Sequence, residues 1–264
     1  MTGSNSTLTL PFRAIRFAAH LVLIGQAHIL FKTLASTMAH IAACPWFVYN
    51  LKKPSQRKVR LQTEYPVALD SPDHITPWGT AYNNVTNFAF IKAMTRKYGR
   101  GTYLDIGCSS GRLVYDFARV GWLAVGLEGS NYSLKTRRGA WPHYHNLMTC
   151  DISKPFDLDE QFDVITAWDV LEHLTKDGLD ILIGNVHRLM RPRSIFIVTT
   201  ANNSEIPTGF ELHQTQWTSE RWIQFFISNG FCVLPRKKCI KRCQMVRHSV
   251  DNSEFTLALE NSSL

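Results

Sequence analysis

From residue 101 onward, short apolar runs alternate with amphipathic stretches. Residues 102–106 form an apolar run closed by Gly107, and residues 112–120 carry helical periodicity. A second apolar run, 122–127, precedes a helix over 131–138 and a short third strand over 144–148. Lys154, Pro155 and Phe156 read as a loop, and 162–167 as a fourth strand. A helix over 177–190 stops before Pro192, and 194–200, rich in Ile, Val and Thr, reads as a fifth strand. A helix over 218–229 has Thr218 or Ser219 as its cap and Gly230 at its end. Residues 231–234 and 255–259 read as the last two strands. Strand–helix alternation of this kind implies parallel strands joined by right-handed crossovers.

The first third of the chain is patterned differently. Residues 1–9 are Ser/Thr-rich, and residues 11–51 are apolar and helix-like with few charges. His20, His28, Lys32, Ser36 and His40 make a polar stripe on that stretch. It reads as a helical layer packed on the following domain, or as a membrane-surface helix assisted by Arg13, Arg16, Lys52, Lys53, Arg57, Lys58 and Arg60. A signal peptide is disfavoured by the overlong apolar region. The expected organisation is an extension over 1–60, a basic then Pro-rich linker over 61–77, and one large domain over 78–264. The domain opens at Trp78 with a helix over 81–98.

Charge and cysteine content narrow the setting. The formal net charge of +8 suits an anionic partner or a membrane surface, but names none. The six cysteines include no C-x-x-C pair and read as reduced thiols in a cytoplasmic protein.

The chemistry centres on residues 103–113, Tyr-Leu-Asp-Ile-Gly-Cys-Ser-Ser-Gly-Arg-Leu. An apolar strand that runs through a Gly-rich turn into a helix gathers backbone N–H groups around one point. The spacing Asp105-x-Gly107-x-Ser109-x-Gly111 is neither G-x-G-x-x-G nor a Walker A loop. Glu128 ends the next strand, 23 residues after Asp105. Cys150-Asp151-Ile152 follows the third strand, and residues 162–174 hold the fourth strand and its turn through Trp168, Asp169, Glu172 and His173.

In this order these segments resemble the class I S-adenosylmethionine-dependent methyltransferases over roughly residues 78–260. The resemblance implies an α/β fold: a Rossmann-like, seven-stranded, mostly parallel sheet with helices on both faces, ended by an antiparallel pair. It implies S-adenosyl-L-methionine as cofactor, with Asp105, Gly107, Ser109 and Gly111 around its methionine end. Glu128 would take the ribose, Asp151 and Ile152 the adenine, and Trp168 would pack near the adenine or the acceptor entrance. Ser109 departs from the family's glycine. Trp78 and Tyr82 would line the pocket or serve as packing.

Methyl transfer to a hydroxyl needs a base near the acceptor. His173 and His213 are the candidates, the latter in the long polar loop 201–216. A Glu-His pair after the fourth strand also serves structure alone. Taken together, Asp169, Glu172, His173 and His213 resemble the metal set of the small-RNA 3′-terminal 2′-O-methyltransferases, with Asp in place of the first Glu. The acceptor is therefore expected to be a small hydroxyl compound, anionic or glycan. The alternatives are a metal-assisted RNA 2′-O-methyltransferase and a non-catalytic cofactor-binding subunit. The basic run over 236–248 reads as a solvated turn or an anion contact.

Overall fold

The structure is a computed structural model; it describes residues 42–74, 87–206, 209–235 and 253–259. In chain order the elements are α1 (42–49), β1 (Leu61–Thr63), α2 (Phe88–Tyr98), β2 (Thr102–Ile106), α3 (Arg112–Arg119), β3 (Leu123–Glu128), α4 (Tyr132–Lys135) and β4 (Leu147–Thr149). They continue with β5 (Phe156–Leu158), β6 (Phe162–Trp168), α5 (Lys176–Leu189), β7 (Met190–Thr200), α6 (Ser219–Ser228), β8 (Phe231–Leu234) and β9 (Ser253–Leu259).

Seven strands form one sheet in the order β4-β3-β2-β6-β7-β9-β8. The first five are parallel, and β9 is antiparallel to both β7 and β8. Alternate residues of each strand enter two different cores. Leu104, Ile106, Val125 and Leu127 pack with Leu179, Leu182 and Val186 of α5 and Trp222 and Phe226 of α6. Tyr103, Ala124, Val164 and Ile197 pack on the other face with Phe47 of α1, Phe90, Ile91 and Met94 of α2, and Leu113 and Phe117 of α3. A parallel sheet covered on both faces favours apolar residues at successive positions, hence the mostly apolar strands.

The chain leaves β2 towards β3 and β4, then crosses back to β6 and β7. The order reverses between β2 and β6, where open α/β sheets hold ligands beyond the strands' carboxyl ends.

Four local expectations are corrected. The helix expected over 131–138 is only α4, because Arg137 and Gly139 take left-handed φ values of 53° and 58°. The third strand begins at Leu147, because Tyr144 turns its hydroxyl to the Ala124 carbonyl, 2.8 Å away. The expected loop at 154–156 runs into β5, and the stretch read as a linker contains β1, its antiparallel partner. This two-stranded sheet forms because Leu158 and Phe156 bury their side chains beneath it. Trp78, Tyr82, residues 1–41 and the basic run over 236–248 lie outside the described residues. No described helix is long and apolar enough to cross a membrane.

Candidate active site

The turn after β2 is built by backbone conformation. The Gly107 and Cys108 N–H groups donate to the Leu127 carbonyl at 2.8 and 2.9 Å, and Gly111 N–H closes the turn on the Cys108 carbonyl at 2.8 Å. Gly111 starts α3 with φ 72°, and a Cβ there would lie 2.4 Å from Leu147 Cδ1. Ser109, where the family has glycine, also takes a positive φ, 50°. A left-handed non-glycine residue costs roughly 1–2 kcal/mol, and both of its backbone groups are held. Its N–H donates to Glu128 Oε2 at 2.7 Å, and its carbonyl accepts from the Trp141 indole at 2.8 Å.

Glu128 is buried at the end of β3, and its Oε1 accepts from the Ser130 N–H at 3.1 Å. Its carboxylate is thus fixed between the turn after β2 and the turn after β3. Asp105 is buried in β2 and ends a chain of hydrogen bonds: Tyr103 Oη to Thr166 Oγ1 at 2.7 Å, and Thr166 Oγ1 to Asp105 Oδ1 at 2.6 Å. Burial pushes the Asp105 carboxyl up to about 7, the Thr166 and Tyr103 hydroxyls oppose that rise, and the Glu128 charge adds to it. Asp151 follows β4; its Oδ1 accepts from the Ser153 N–H and hydroxyl, while Ile152 packs into the core. Trp168 ends β6 and meets Phe90 edge-on, with centroids 5.6 Å apart.

Glu172 and His173 lie in a short 3-10 turn after β6. Glu172 is fully buried, and its Oε1 accepts from the Ala201 N–H at 2.8 Å, tying this turn to the end of β7. Burial pushes its carboxyl up to about 8; the neighbouring His173 opposes the rise. The loop after β7 folds back so that Thr215 N–H reaches the Glu172 carbonyl at 2.9 Å. His213 is thereby buried with its ring 4.8 Å from that of His173. Ligand atoms of Glu172, His173 and His213 all lie within 4.8 Å of one another, a spacing compatible with a divalent cation. Asp169 stands outside this group, its Oδ1 accepting from the Thr199 hydroxyl at 2.7 Å, so three of the four residues in the expected metal set converge.

His213 Nδ1 lies 2.5 Å from the Asn203 carbonyl, and its Nε2 is 3.1 Å from Glu205 Oε2. Sequence reasoning missed Glu205 as a partner; its one signal was a place in the polar loop 201–216. Glu211 organises that loop. Its carboxylate accepts from the Glu205 and His213 N–H groups at 3.0 and 2.9 Å and from the Ser204 hydroxyl. These charge-assisted bonds hold the Glu211 carboxyl down at about 2.

A family model described as a methyltransferase domain matches residues 81–243, more than half of the chain. A protein named ubiquinone biosynthesis O-methyltransferase from Rhodopseudomonas palustris is 32% identical over 134 residues, covering 46% of this chain and 52% of its own. One of the same name from Bradyrhizobium is 30% identical over 103 residues, 38% of this chain and 40% of its own. The chain spans about half the length of the curated relatives it matches. Among solved structures, an S-adenosylmethionine-dependent methyltransferase from Clostridium acetobutylicum superposes with a TM-score of 0.50 at 14% identity, over 67% of this chain and 93% of its own, a likeness of fold. By its matched segment and its sheet, the chain belongs to the methyltransferase-domain family in its class I, Rossmann-like form.

Proposed function

We propose that the chain is an S-adenosyl-L-methionine-dependent O-methyltransferase that acts on a hydroxyl of a small polar acceptor, such as a sugar. The observation that carries this reading is the meeting of two residue groups at neighbouring strand ends: Asp105, Ser109 and Glu128 on one side, Glu172, His173 and His213 on the other. The first group fits the cofactor. The Ser109 and Ser130 N–H groups orient the Glu128 carboxylate. A buried, oriented acid at this strand end suits a ribose diol. The curated relatives bear O-methyltransferase in their names, which supports oxygen as the acceptor atom.

When bound, S-adenosylmethionine supplies an electrophilic methyl group for in-line displacement. The protein's share is to align the acceptor and receive its proton. His213 Nδ1–H bonds to the Asn203 carbonyl and Nε2 faces Glu205 Oε2, so Nε2 takes the acceptor's proton only where the hydroxyl displaces the Glu205 carboxylate from it. Glu205 then stands beside the imidazolium as it forms. His173, edge-on to His213, is the second nitrogen base of the site. The acids Glu128, Asp151, Asp169 and Glu205 at this edge favour a neutral hydroxyl compound over the anionic acceptor suggested by net charge. The exposed Val48, Tyr49, Lys52, Lys53, Arg57 and Lys58 support peripheral contact of a cytoplasmic enzyme with an anionic membrane surface.

A second reading, metal-assisted 2′-O-methylation of a terminal ribose or RNA end, is favoured by the convergence of Glu172, His173 and His213. Those residues would hold a divalent ion that lowers the pKa of a bound hydroxyl. Calorimetric titration with S-adenosylhomocysteine, before and after chelation, separates the readings. Micromolar, metal-independent binding supports the first. Stoichiometric zinc or manganese binding, lost in His173→Ala and His213→Ala, supports the second. Absence of S-adenosylhomocysteine binding in every condition refutes both.

A further inference from the structure

The segment between α1 and α2 passes the start of β4, pairs with β5 and then follows the carboxyl ends of β4 and β3. The Val59 N–H donates to Asn146 Oδ1 at 3.1 Å, and β1 pairs with β5 from Leu61↔Leu158 to Thr63↔Phe156. Beyond β1, the Tyr65 carbonyl accepts from the Asp151 N–H at 2.9 Å, and the Ala68 N–H donates to the Gly129 carbonyl at 3.0 Å. The segment ends in a one-turn 3-10 helix, Pro72–His74, closed by the His74 N–H on the Ser71 carbonyl at 3.0 Å. His74 is half-buried and lies directly over Gly129; a Cβ on that glycine would lie 3.0 Å from His74 Cε1 and 3.3 Å from Ala68 Cβ.

The contacts beyond β1 fall beside residues already assigned to the adenosine half of the cofactor. Gly129 follows Glu128, and Asp151 itself makes one of the bonds. His74 Nδ1 donates to the Ala68 carbonyl at 2.6 Å, which leaves Nε2 as the acceptor nitrogen of the neutral ring. The residue is thus oriented by its own segment and pressed against the turn that follows the ribose-binding acid. This segment precedes the stretch matched by the family model, which begins at residue 81.

We infer that residues 61–74 form a wall of the cofactor site on its adenosine side, and that His74 is a cofactor-binding residue placed there by the close approach to Gly129. The inference rests on the S-adenosylmethionine reading above. A histidine acceptor at this edge would take a hydrogen bond from a ribose hydroxyl or the adenine amino group, and loss of one such bond weakens binding by about tenfold.

The test is calorimetric titration of the full chain with S-adenosylhomocysteine and, separately, with 5′-methylthioadenosine, which keeps the adenosine and lacks the amino-acid end. His74→Ala is expected to weaken both ligands by about the same factor, and His74→Gln, which retains an acceptor, to recover part of the loss. Gly129→Ala pushes on the same contact from β3 and is expected to weaken both ligands as well, so the test survives misfolding of one variant. If folded His74→Ala and Gly129→Ala bind both ligands as the wild type does, the inference is overturned, whatever happens to their unfolding midpoints. A loss confined to S-adenosylhomocysteine overturns it too, since the effect would then lie at the methionine end. Wild-type protein that binds neither ligand refutes the cofactor reading itself, and the inference with it.

Discussion

Replacing Asp105 with Asn tests the electrostatics at the turn after β2. The Asp105 side chain is almost wholly buried and its carboxyl is pushed from 3.8 up to about 7. A tenfold change in proton affinity corresponds to about 1.4 kcal/mol, so ionising Asp105 inside the fold at pH 8 costs on the order of 4 kcal/mol. The folded state holds this proton more tightly than the unfolded state does, so its contribution to stability is full below about pH 4. It declines as pH rises from about 4 to about 7 and is level above that. Asparagine removes the titration while its Oδ1 keeps the hydrogen bond from Thr166. Urea unfolding should therefore find Asp105→Asn more stable than wild type at pH 8, by about 2–4 kcal/mol. At pH 5 its advantage should be smaller by about 3 kcal/mol, because Asp105 is then protonated in the folded wild type. Glu172, raised in the same direction, leaves a residual slope in both proteins. A cationic ligand favours the ionised acid, so S-adenosylmethionine should release a proton from the wild type near pH 7 and less from the variant. Calorimetry in two buffers of different ionisation enthalpy measures this. Equal destabilisation of the variant at pH 5 and pH 8 would refute the reasoning, since it would mean that the fold accommodates the charge.

Three further substitutions probe the same edge of the sheet. Gly111→Ala forces a side chain into the left-handed region and against Leu147, and should lower stability by about 1–3 kcal/mol with a matching fall in thermal midpoint; an unchanged midpoint would contradict the turn geometry. Glu128→Ala removes the proposed ribose acceptor and frees the Ser109 N–H, and should weaken S-adenosylhomocysteine by at least about tenfold; equal affinity in calorimetry would remove Glu128 from the site. Glu211→Ala should release the loop that carries His213 and lower turnover with little change in cofactor affinity, while Glu211→Gln, still accepting from two backbone N–H groups, should restore most of it; equal activity of the two variants would count against the loop's role.

The parallel core was legible because its physics is written in side chains. Strands buried on both faces must be mostly apolar on both sides, and 102–106 and 162–167 fit little else. The acids and glycines at the strand ends were legible for a related reason: they interrupt apolar runs where a buried chain would not otherwise carry them. Element ends were less legible. The left-handed Arg137 that stops α4 is set by local backbone, to which periodicity is blind. The meeting of Glu172 with His213 was expected only through a family resemblance. Forty residues separate them, and the fold joins them through the bond from the Thr215 N–H to the Glu172 carbonyl.

The segment 61–74 shows why a bound stretch of chain reads as a linker in sequence. Its anchors beyond β1 are main-chain bonds, Tyr65 carbonyl to Asp151 N–H and Ala68 N–H to Gly129 carbonyl, and any residue but proline can donate such a bond. The side chains left over, such as the exposed Leu69, then look like those of a linker. Constraint shows only where a side chain or its absence matters: Gly129, whose missing Cβ admits His74, and His74, whose ring its own segment orients. Substitutions along this segment should therefore be tolerated at Leu69 and felt at those two positions. Had the segment been a tether, the pattern would run the other way, with no position sensitive and insertions accepted throughout.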